Sequence, residues 1–118
     1  MIFLELPFPP SLNGNWRSER GSVHRSTAYK AWIKDAGWEL KRQKPGKISG
    51  KFIVRMLFGR PDKRKRDLDN LAKPVLDLLK SCKVIEDDSL TDTIIMRWID
   101  GPGKVMVYLW PVDEVEWE

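Results

Sequence analysis

The chain has 118 residues, with 21 lysines and arginines against 17 aspartates and glutamates, and a formal net charge of +4. This length suits one core, so we expect residues 1–118 to form a single domain. The lone cysteine, Cys82, excludes an intramolecular disulfide and a zinc site built on cysteines, and it suits a reducing, cytoplasmic compartment. The opening MIFLELPFPP has no cationic leader and is interrupted by prolines, which argues against a signal peptide or a membrane span.

The first third of the chain predicts one strand, one long loop and one helix. IFLEL, residues 2–6, alternates apolar and polar side chains and predicts a strand. Residues 9–25 carry Pro, Ser, Asn and Gly without periodicity and predict a loop. A helix is predicted from the N-cap residue Ser26 to a point before Pro45, because apolar residues recur at helical spacing: Tyr29, Trp32, Ile33, Ala36 and Leu40. Trp38 falls nearly opposite this stripe and is either a partly exposed aromatic residue or part of a self-association surface.

The rest of the chain predicts a strand, a helix and two more strands. KFIVRMLF, residues 51–58, is rich in strand-forming residues, and a helix follows from about residue 70 to residue 81. DTIIMRWI (92–99) and KVMVYLW (104–110) predict two strands, and the DGPG between them is typical of a hairpin turn. The order β-α-β-α-β-β indicates an α/β (α+β) domain, with a mixed or antiparallel sheet packed against two helices.

The stretch PDKRKRDLDNLAKPVLDLLK joins a basic run to two carboxylates at the start of the predicted helix. Such a run suits a polyanion such as nucleic acid, although it is also compatible with a solvated loop. If residues 67–69 are extended, the side chains of Asp67 and Asp69 face the same way. If the helix has already begun, Asp69 or Asn70 is simply an N-cap residue. Pro74 removes one helical amide, so we expect a kink in the first turn.

A third carboxylate favours a metal site over capping. The helix is about 18 Å long, and the seven residues from Ser81 to Asp88 span about 23 Å when extended, so VIEDD is able to return to the helix start. Asp87 or Asp88 would then lie beside Asp67 and Asp69. Carboxylates without cysteine or histidine favour Mg²⁺ or Mn²⁺, whose bound waters can act as nucleophiles. Lys73, four residues after Asp69, either pairs with a carboxylate or points at the ligand of the metal.

The residues RKRDLDNLAKPVLDLLK followed by VIEDDS closely resemble the RusA family of Holliday junction resolvases, in which a basic stretch, DLDN, a lysine and a DD pair recur in this order. The N-terminal PFPPSLNGNWR and the helix over residues 28–40 are also similar to the family. The resemblance implies a homodimeric, Mg²⁺-dependent endonuclease that binds four-way DNA junctions and nicks two opposed strands symmetrically, leaving 5′-phosphate and 3′-hydroxyl ends. It also implies that Asp67, Asp69 and Asp88 ligate the metal and that Lys73 is catalytic.

The basic residues around these carboxylates are the candidate DNA contacts. Each lysine or arginine that neutralises a phosphate steepens the salt dependence of binding. The candidate DNA-binding residues are Arg60, Lys63, Arg64, Lys65, Arg66, Asn70, Arg17 and Arg25. The alternative function is a DNA-binding protein without catalysis, in which the basic loop acts alone and the aspartates only cap a helix.

Overall fold

The computed structural model describes residues 1–10, 16–19 and 22–114 of the chain, with residues 16–19 and 22–25 described as backbone. They form six strands and two α-helices in the order β1 (Ile2–Pro7), β2 (Trp16–Glu19), β3 (Ser22–Arg25), α1 (Thr27–Gln43), β4 (Phe52–Gly59), α2 (Ala72–Ser81), β5 (Thr91–Ile99) and β6 (Lys104–Pro111). Single 3₁₀ turns lie at Leu68–Leu71, Asp88–Leu90 and Val112–Glu114.

Strands β1, β6, β4 and β5 form one mixed sheet in that spatial order. Strand β6 is antiparallel to both of its neighbours, whereas β4 and β5 are parallel. The connection from β4 to β5 contains α2, as a parallel pair requires. The predicted fold class is therefore confirmed, and the mixed form of the sheet is the correct one of the two alternatives.

Both helices pack on one face of this sheet. A row of residues in register across the four strands supplies the middle of that face: Leu4, Val107, Met56 and Met96. Apolar residues of both helices join the same core, among them Tyr29, Trp32, Val75 and Leu79. Within the described ranges, neither helix combines the length and the apolar character needed to cross a bilayer.

Helix α1 begins where the sequence predicts. The side chain of Ser26 accepts a hydrogen bond from the backbone N–H of Tyr29 at 3.1 Å, which satisfies one amide of the first turn. The helix ends at Gln43, and Lys44 adopts a left-handed conformation just before Pro45. These local signals predicted both ends correctly.

Helix α2 begins two residues later than predicted, and this explains Pro74. Residues Leu68–Leu71 form a 3₁₀ turn, and the α-helix starts only at Ala72. Pro74 is thus the third residue of α2, where a backbone amide has no partner within the helix in any case. The kink expected from Pro74 stays a prediction; before Pro74 the structure has a change from 3₁₀ to α-helical geometry at residue 72.

The predicted hairpin between β5 and β6 is wrong. Both strands form, but β4 lies between them, so residues 100–103 cross over the end of β4. The crossing is tight: a Cβ atom at Gly59 would lie 1.9 Å from the carbonyl oxygen of Pro102, and one at Gly103 would lie 2.7 Å from Cα of Pro61. The turn residues therefore serve a crossover rather than a hairpin.

The predicted loop over residues 9–25 is also partly wrong. Strands β2 and β3 pair antiparallel within it, with Trp16 opposite Arg25 and Glu19 opposite Ser22, and form a separate two-stranded sheet. Four-residue strands are too short for alternation to stand out in the sequence, so this hairpin gave no periodic signal.

The second face of the four-stranded sheet carries aromatic and aliphatic side chains. One row in register across all four strands consists of Phe3, Tyr108, Arg55 and Ile95. The rings of Phe3 and Tyr108 lie 4.9 Å apart, and the Arg55 guanidinium lies 4.5 Å from the centre of the Tyr108 ring. Phe3 and Ile95 are 42% and 43% exposed. We call this surface the open sheet face.

We expect Gly59→Ala to destabilise the protein by about 2–4 kcal/mol, because the added methyl group overlaps backbone atoms of Pro102 and cannot be relieved by a side-chain rotation. The measurement is urea unfolding followed by circular dichroism. Gly37→Ala is the control: its Cβ would lie 3.9 Å from Leu78 Cδ1, an ordinary contact, so the better helix propensity of alanine should raise stability by about 0.5–1 kcal/mol. Equal effects of the two variants would contradict the tight crossing.

Candidate active site

Asp67 and Asp69 line one open depression beside β5. Asp67 has an extended backbone at the end of the basic loop, and Asp69 follows within the 3₁₀ turn. The other lining residues are Arg66, Leu68, Ala72, Ile94 and Met96, and the volume is about 700 Å³. We call it the acidic depression. The local geometry thus combines the two alternatives derived from the sequence. Asp67 is extended and Asp69 lies in a helical turn, yet both line the same depression.

The carboxylates of Asp67 and Asp69 do not act as helix caps. Asp67 occupies the N-cap position of the 3₁₀ turn and Leu71 that of α2, and neither provides a side-chain capping bond. The described contacts give Asp67 and Asp69 no ion pair, whereas Asp62, Asp77 and Asp87 each pair with a cation. Two unpaired acids beside each other are therefore available to a ligand that carries positive charge.

The basic loop, residues 60–66, is organised by a single carboxylate. Asp62 accepts hydrogen bonds from both terminal nitrogens of Arg66, at 2.7 and 2.9 Å, and from the backbone N–H and Nε of Arg64, at 2.9 and 3.1 Å. The hydrogen bonds from Arg66 above all hold the pKa of the Asp62 carboxyl well below its usual range. The loop is therefore closed on itself next to the acidic depression.

Aromatic rings anchor both ends of this loop. The Arg60 guanidinium lies 4.2 Å from the centre of the Trp98 ring, and that of Arg66 lies 5.3 Å from the centre of Phe8. Phe8 and Trp98 are themselves stacked, at 6.1 Å and an angle of 11°. Arg60 and Arg66 therefore contribute to the position of the loop as well as to its charge.

The middle of the basic loop points outward. Lys63, Arg64 and Lys65 are all exposed, and the Arg64 side chain is 79% exposed, compared with 13% for Arg66. The described contacts include no ion pair of Lys63 or Lys65. Of the predicted phosphate contacts in this loop, these three residues are the ones placed to reach a DNA backbone.

Lys73 lies one turn beyond Asp69 but does not pair with it. Its ammonium group is 3.5 Å from the carboxylate of Asp77, one turn further along α2. The Lys73 side chain is 55% exposed, and an exposed ion pair of this kind adds little to stability. Lys73 can therefore exchange Asp77 for a phosphate at low cost.

Asp88 lies away from the acidic depression in the described chain. Lys80, near the C-terminal end of α2, forms a 2.6 Å ion pair with Asp87, and the pKa of Lys80 is raised mainly by this bond, with a smaller contribution from the charge of Asp88. The expected return of VIEDD to the helix start is not observed. Instead Ile85 bridges to Ile48 and Glu86 accepts a hydrogen bond from the Gly50 amide, which keeps the segment beside the start of β4.

The remaining candidate DNA contacts lie in two places. Asn70 is part of the 3₁₀ turn, where its backbone N–H donates to the carbonyl of Asp67 at 3.2 Å. Arg17 lies on β2 and Arg25 on β3, but their side chains lie outside the described part of the structure.

The acidic depression supplies two of the oxygen ligands that a hard divalent cation needs. Asp67 and Asp69 supply carboxylate oxygens, and neither is engaged by a protein cation. Within residues 1–10, 16–19 and 22–114, no three histidine, cysteine, aspartate or glutamate side chains lie close enough together to hold a metal ion. A third protein ligand is thus not in place in the single described chain.

Sequence reasoning missed the long-range and loop contacts that shape this site, although it named Arg66 as a DNA contact. Asp62 and Arg66 carry opposite charges and are four residues apart. This spacing usually indicates an ion pair on a helix, but here the ion pair closes a loop. Phe8 and Trp98 are 90 residues apart, so no local pattern indicates that they stack. The hydrophobic wall formed by Ile94 and Met96 follows from the position of β5 at the sheet edge.

Comparison with known proteins places this chain in a family. The model of the family described as endodeoxyribonuclease RusA matches residues 7–109. The chain is 33% identical over 100 residues to the crossover junction endodeoxyribonuclease RusA of Enterobacteria phage HK97, covering 83% of each chain. It is 34% identical over 87 residues to that of Aquifex aeolicus (73% of this chain, 68% of the relative) and 36% identical over 93 residues to that of Escherichia coli K12 (73% and 72%). The chain therefore belongs to the RusA family of endodeoxyribonucleases.

Proposed function

We propose that this protein is a metal-dependent endonuclease that resolves four-way DNA junctions by paired, symmetric nicks. The relatives carry the name crossover junction endodeoxyribonuclease, which supports this substrate class. The observation that carries the proposal is the position of two unpaired carboxylates, Asp67 and Asp69, directly beside an exposed cationic loop. A DNA-processing role also suits the cytoplasmic location expected from the sequence.

In this proposal the basic loop binds the DNA backbone. Lys63, Arg64 and Lys65 contact phosphates, while Arg60 and Arg66 hold the loop against its aromatic anchors. Because bare carboxylates repel phosphate, the outward cations are needed to bring a strand over the acidic depression. Asn70, Arg17 and Arg25 are proposed as further contacts.

Asp67, Asp69 and Asp88 are the proposed ligands of Mg²⁺, with Mn²⁺ as an alternative. At these residues a divalent ion would supply an activated water and neutralisation of charge at the phosphate. Lys73 turns from Asp77 to the scissile phosphate and stabilises its developing negative charge. Hydrolysis of the bond between phosphorus and O3′ leaves 5′-phosphate and 3′-hydroxyl ends.

The proposed role of Asp88 as a metal ligand requires this residue to come close to Asp67 and Asp69. In the described chain its charge acts on Lys80 near the other end of α2. A site with all three aspartates therefore requires either a displacement of residues 87–88 or a contribution from a second chain. The Lys80–Asp87 ion pair, with exposed fractions of 50% and 38%, presents only a small barrier to such a displacement.

We further propose that the protein is a homodimer joined through the open sheet face. That face exposes Phe3 and Ile95 in a row with Tyr108 and Arg55. Two copies of the acidic depression in one dimer would provide the two nicks of a junction.

Asp69→Asn should reduce Mg²⁺-dependent nicking of a synthetic four-way junction by about 100-fold or more, because it removes an oxygen ligand and a charge from the acidic depression. Junction affinity should stay the same or increase, since the substitution also removes repulsion with phosphate. The measurements are gel-based cleavage and fluorescence anisotropy. Asp113→Asn, at an exposed site elsewhere, is the matched control. Undiminished cleavage by Asp69→Asn would refute the site, and binding without cleavage by the unmodified protein would favour the non-catalytic alternative.

Ile95→Glu should convert the dimer to a monomer, because it places a charge among the exposed apolar side chains on the β5 side of the open sheet face. Sedimentation velocity at concentrations that support cleavage measures this. Ala31→Glu introduces the same charge at an exposed position of α1 and should leave the dimer intact. A dimer that survives Ile95→Glu would exclude this face as the interface, and a wild-type protein that sediments as a monomer would exclude paired incision.

A further inference from the structure

Helix α1 presents a cationic ridge that the proposed active site does not use. Lys30, Lys34, Trp38 and Lys41 follow each other at intervals of four, four and three residues, so they share one side of the helix. All four are exposed, and Trp38 is 69% exposed, the largest exposed fraction among the bulky apolar residues of the described chain. We call these four residues the α1 ridge.

The lysines of the α1 ridge are not used within the protein. On α1 the described ion pair is Arg42 with Glu39, at 2.6 Å, and the described contacts include no ion pair of Lys30, Lys34 or Lys41. Three unpaired ammonium groups over about 16 Å of helix suit an extended polyanion rather than one small anion. Asp35, also exposed, lies to the side of the ridge and reduces its charge locally.

Trp38 borders an apolar hollow between the two helices. Its floor includes Ile33, Gly37, Leu78 and Cys82, and its volume is about 520 Å³. The absence of a side chain at Gly37 keeps this space open next to the indole ring. Lys34, Lys41 and the carboxylate of Asp35 also line the hollow, so an apolar, flat surface and a net positive charge are available to the same ligand.

We infer that the α1 ridge is a second nucleic-acid contact, in which the three lysines bind phosphates of a single-stranded segment and Trp38 stacks on one of its unpaired bases. Base stacking on an exposed aromatic ring needs no particular sequence, and lysines supply the phosphate contacts. An acidic peptide would also meet the lysines, but it offers no flat ring for Trp38. This assignment replaces the self-association role that the sequence left open for Trp38.

The position of the ridge relative to the acidic depression suits a branched substrate. The hollow beside Trp38 includes Leu78, Ser81 and Cys82, at the C-terminal end of α2, whereas Asp69 precedes its N-terminal end. The ten residues of α2 make these ends about 15 Å apart, or roughly four base-pair steps. The inference rests on the proposed function only because both assume that the protein binds DNA. The α1 ridge would hold an unpaired segment while the acidic depression acts elsewhere on the same DNA molecule.

The test is binding of a fluorescein-labelled 20-nucleotide single strand and of a synthetic four-way junction, measured by anisotropy at several salt concentrations in an Asp69→Asn background without Mg²⁺. The triple variant Lys30→Gln, Lys34→Gln, Lys41→Gln should lower the log-log salt slope for the single strand by about two units, from a contribution of about 0.7 for each phosphate contact. The triple variant Lys47→Gln, Lys51→Gln, Lys104→Gln removes the same charge from exposed sites elsewhere and should change the slope by less than half as much.

Trp38 is tested separately in the same assay. Trp38→Ala should weaken single-strand binding by about ten-fold or more, and Trp38→Phe should restore most of it, because phenylalanine also stacks on bases. Asp35→Asn should strengthen binding slightly by removing a nearby negative charge. All of these positions are exposed, so melting temperatures and circular dichroism should remain close to those of the parent protein.

Two results would overturn the inference: equal salt slopes for the two triple variants, or unchanged binding by Trp38→Ala. If Trp38→Ala instead changes the sedimentation coefficient of the DNA-free protein while binding is unaffected, the ridge is a self-association surface. Failure of the proposed function is detected independently, by cleavage that persists in Asp69→Asn with the ridge intact. Conversely, ridge variants that lose binding but still nick saturating amounts of junction would leave the proposed nuclease site in place.

Discussion

Strand β4 is the constraint on which the arrangement of the site depends. It has a hydrogen-bonded strand on each side and helices over one face, and its far end at Gly59 is crossed by residues 100–103. The chain that leaves β4 therefore emerges beside this crossing, returns through α2 and then runs along β5 in the same direction as β4. The basic loop and the acidic depression lie on that return path, because residues 66–69 and β5 form the walls of the depression.

Charge pairing separates the structural from the available side chains. Asp62 neutralises Arg66 and part of Arg64, and this closes the loop, while Phe8 and Trp98 hold its two ends. The ion pairs of Asp77 and Asp87 lie along the exposed side of α2 and its continuation. Asp67 and Asp69 remain outside this pairing. The basic loop is thus held by partly buried rings and closed ion pairs, whereas the acids proposed to bind a ligand have no described ion pair.

The sheet and the helices present three different surfaces to their surroundings. The acidic depression lies at the β5 edge, where the helix side of the sheet is incompletely covered. The open sheet face combines aromatic and aliphatic side chains with the charged residues Glu5, Arg55 and Arg97, which suits contact with another protein surface. The α1 ridge is cationic with one exposed ring, which suits nucleic acid. The proposed chemistry, the proposed association and the inferred second DNA contact thus use separate residues of the 118-residue chain.

The sequence by itself determined whatever depends on near neighbours. Ser26 and the apolar spacing after it defined α1, alternation and strand-forming residues located β1, β4, β5 and β6, and the two-residue spacing of Asp67 and Asp69 brought both to one depression. The order DLDN, lysine, DD was specific enough to indicate the family before any fold was known. Each of these conclusions rests on contacts within one or two turns of the chain, where geometry is nearly independent of the rest of the molecule.

Only the tertiary structure decided what depends on distant segments. DGPG is a good hairpin turn locally, yet β4 separates the strands that it joins, because pairing partners are chosen by the whole sheet. Chain length allowed Asp88 to reach the start of α2, but the bridge from Ile85 to Ile48 holds its segment at the other end. A maximum reach sets only an upper limit on distance, and long-range pairing determines where within that limit a side chain lies.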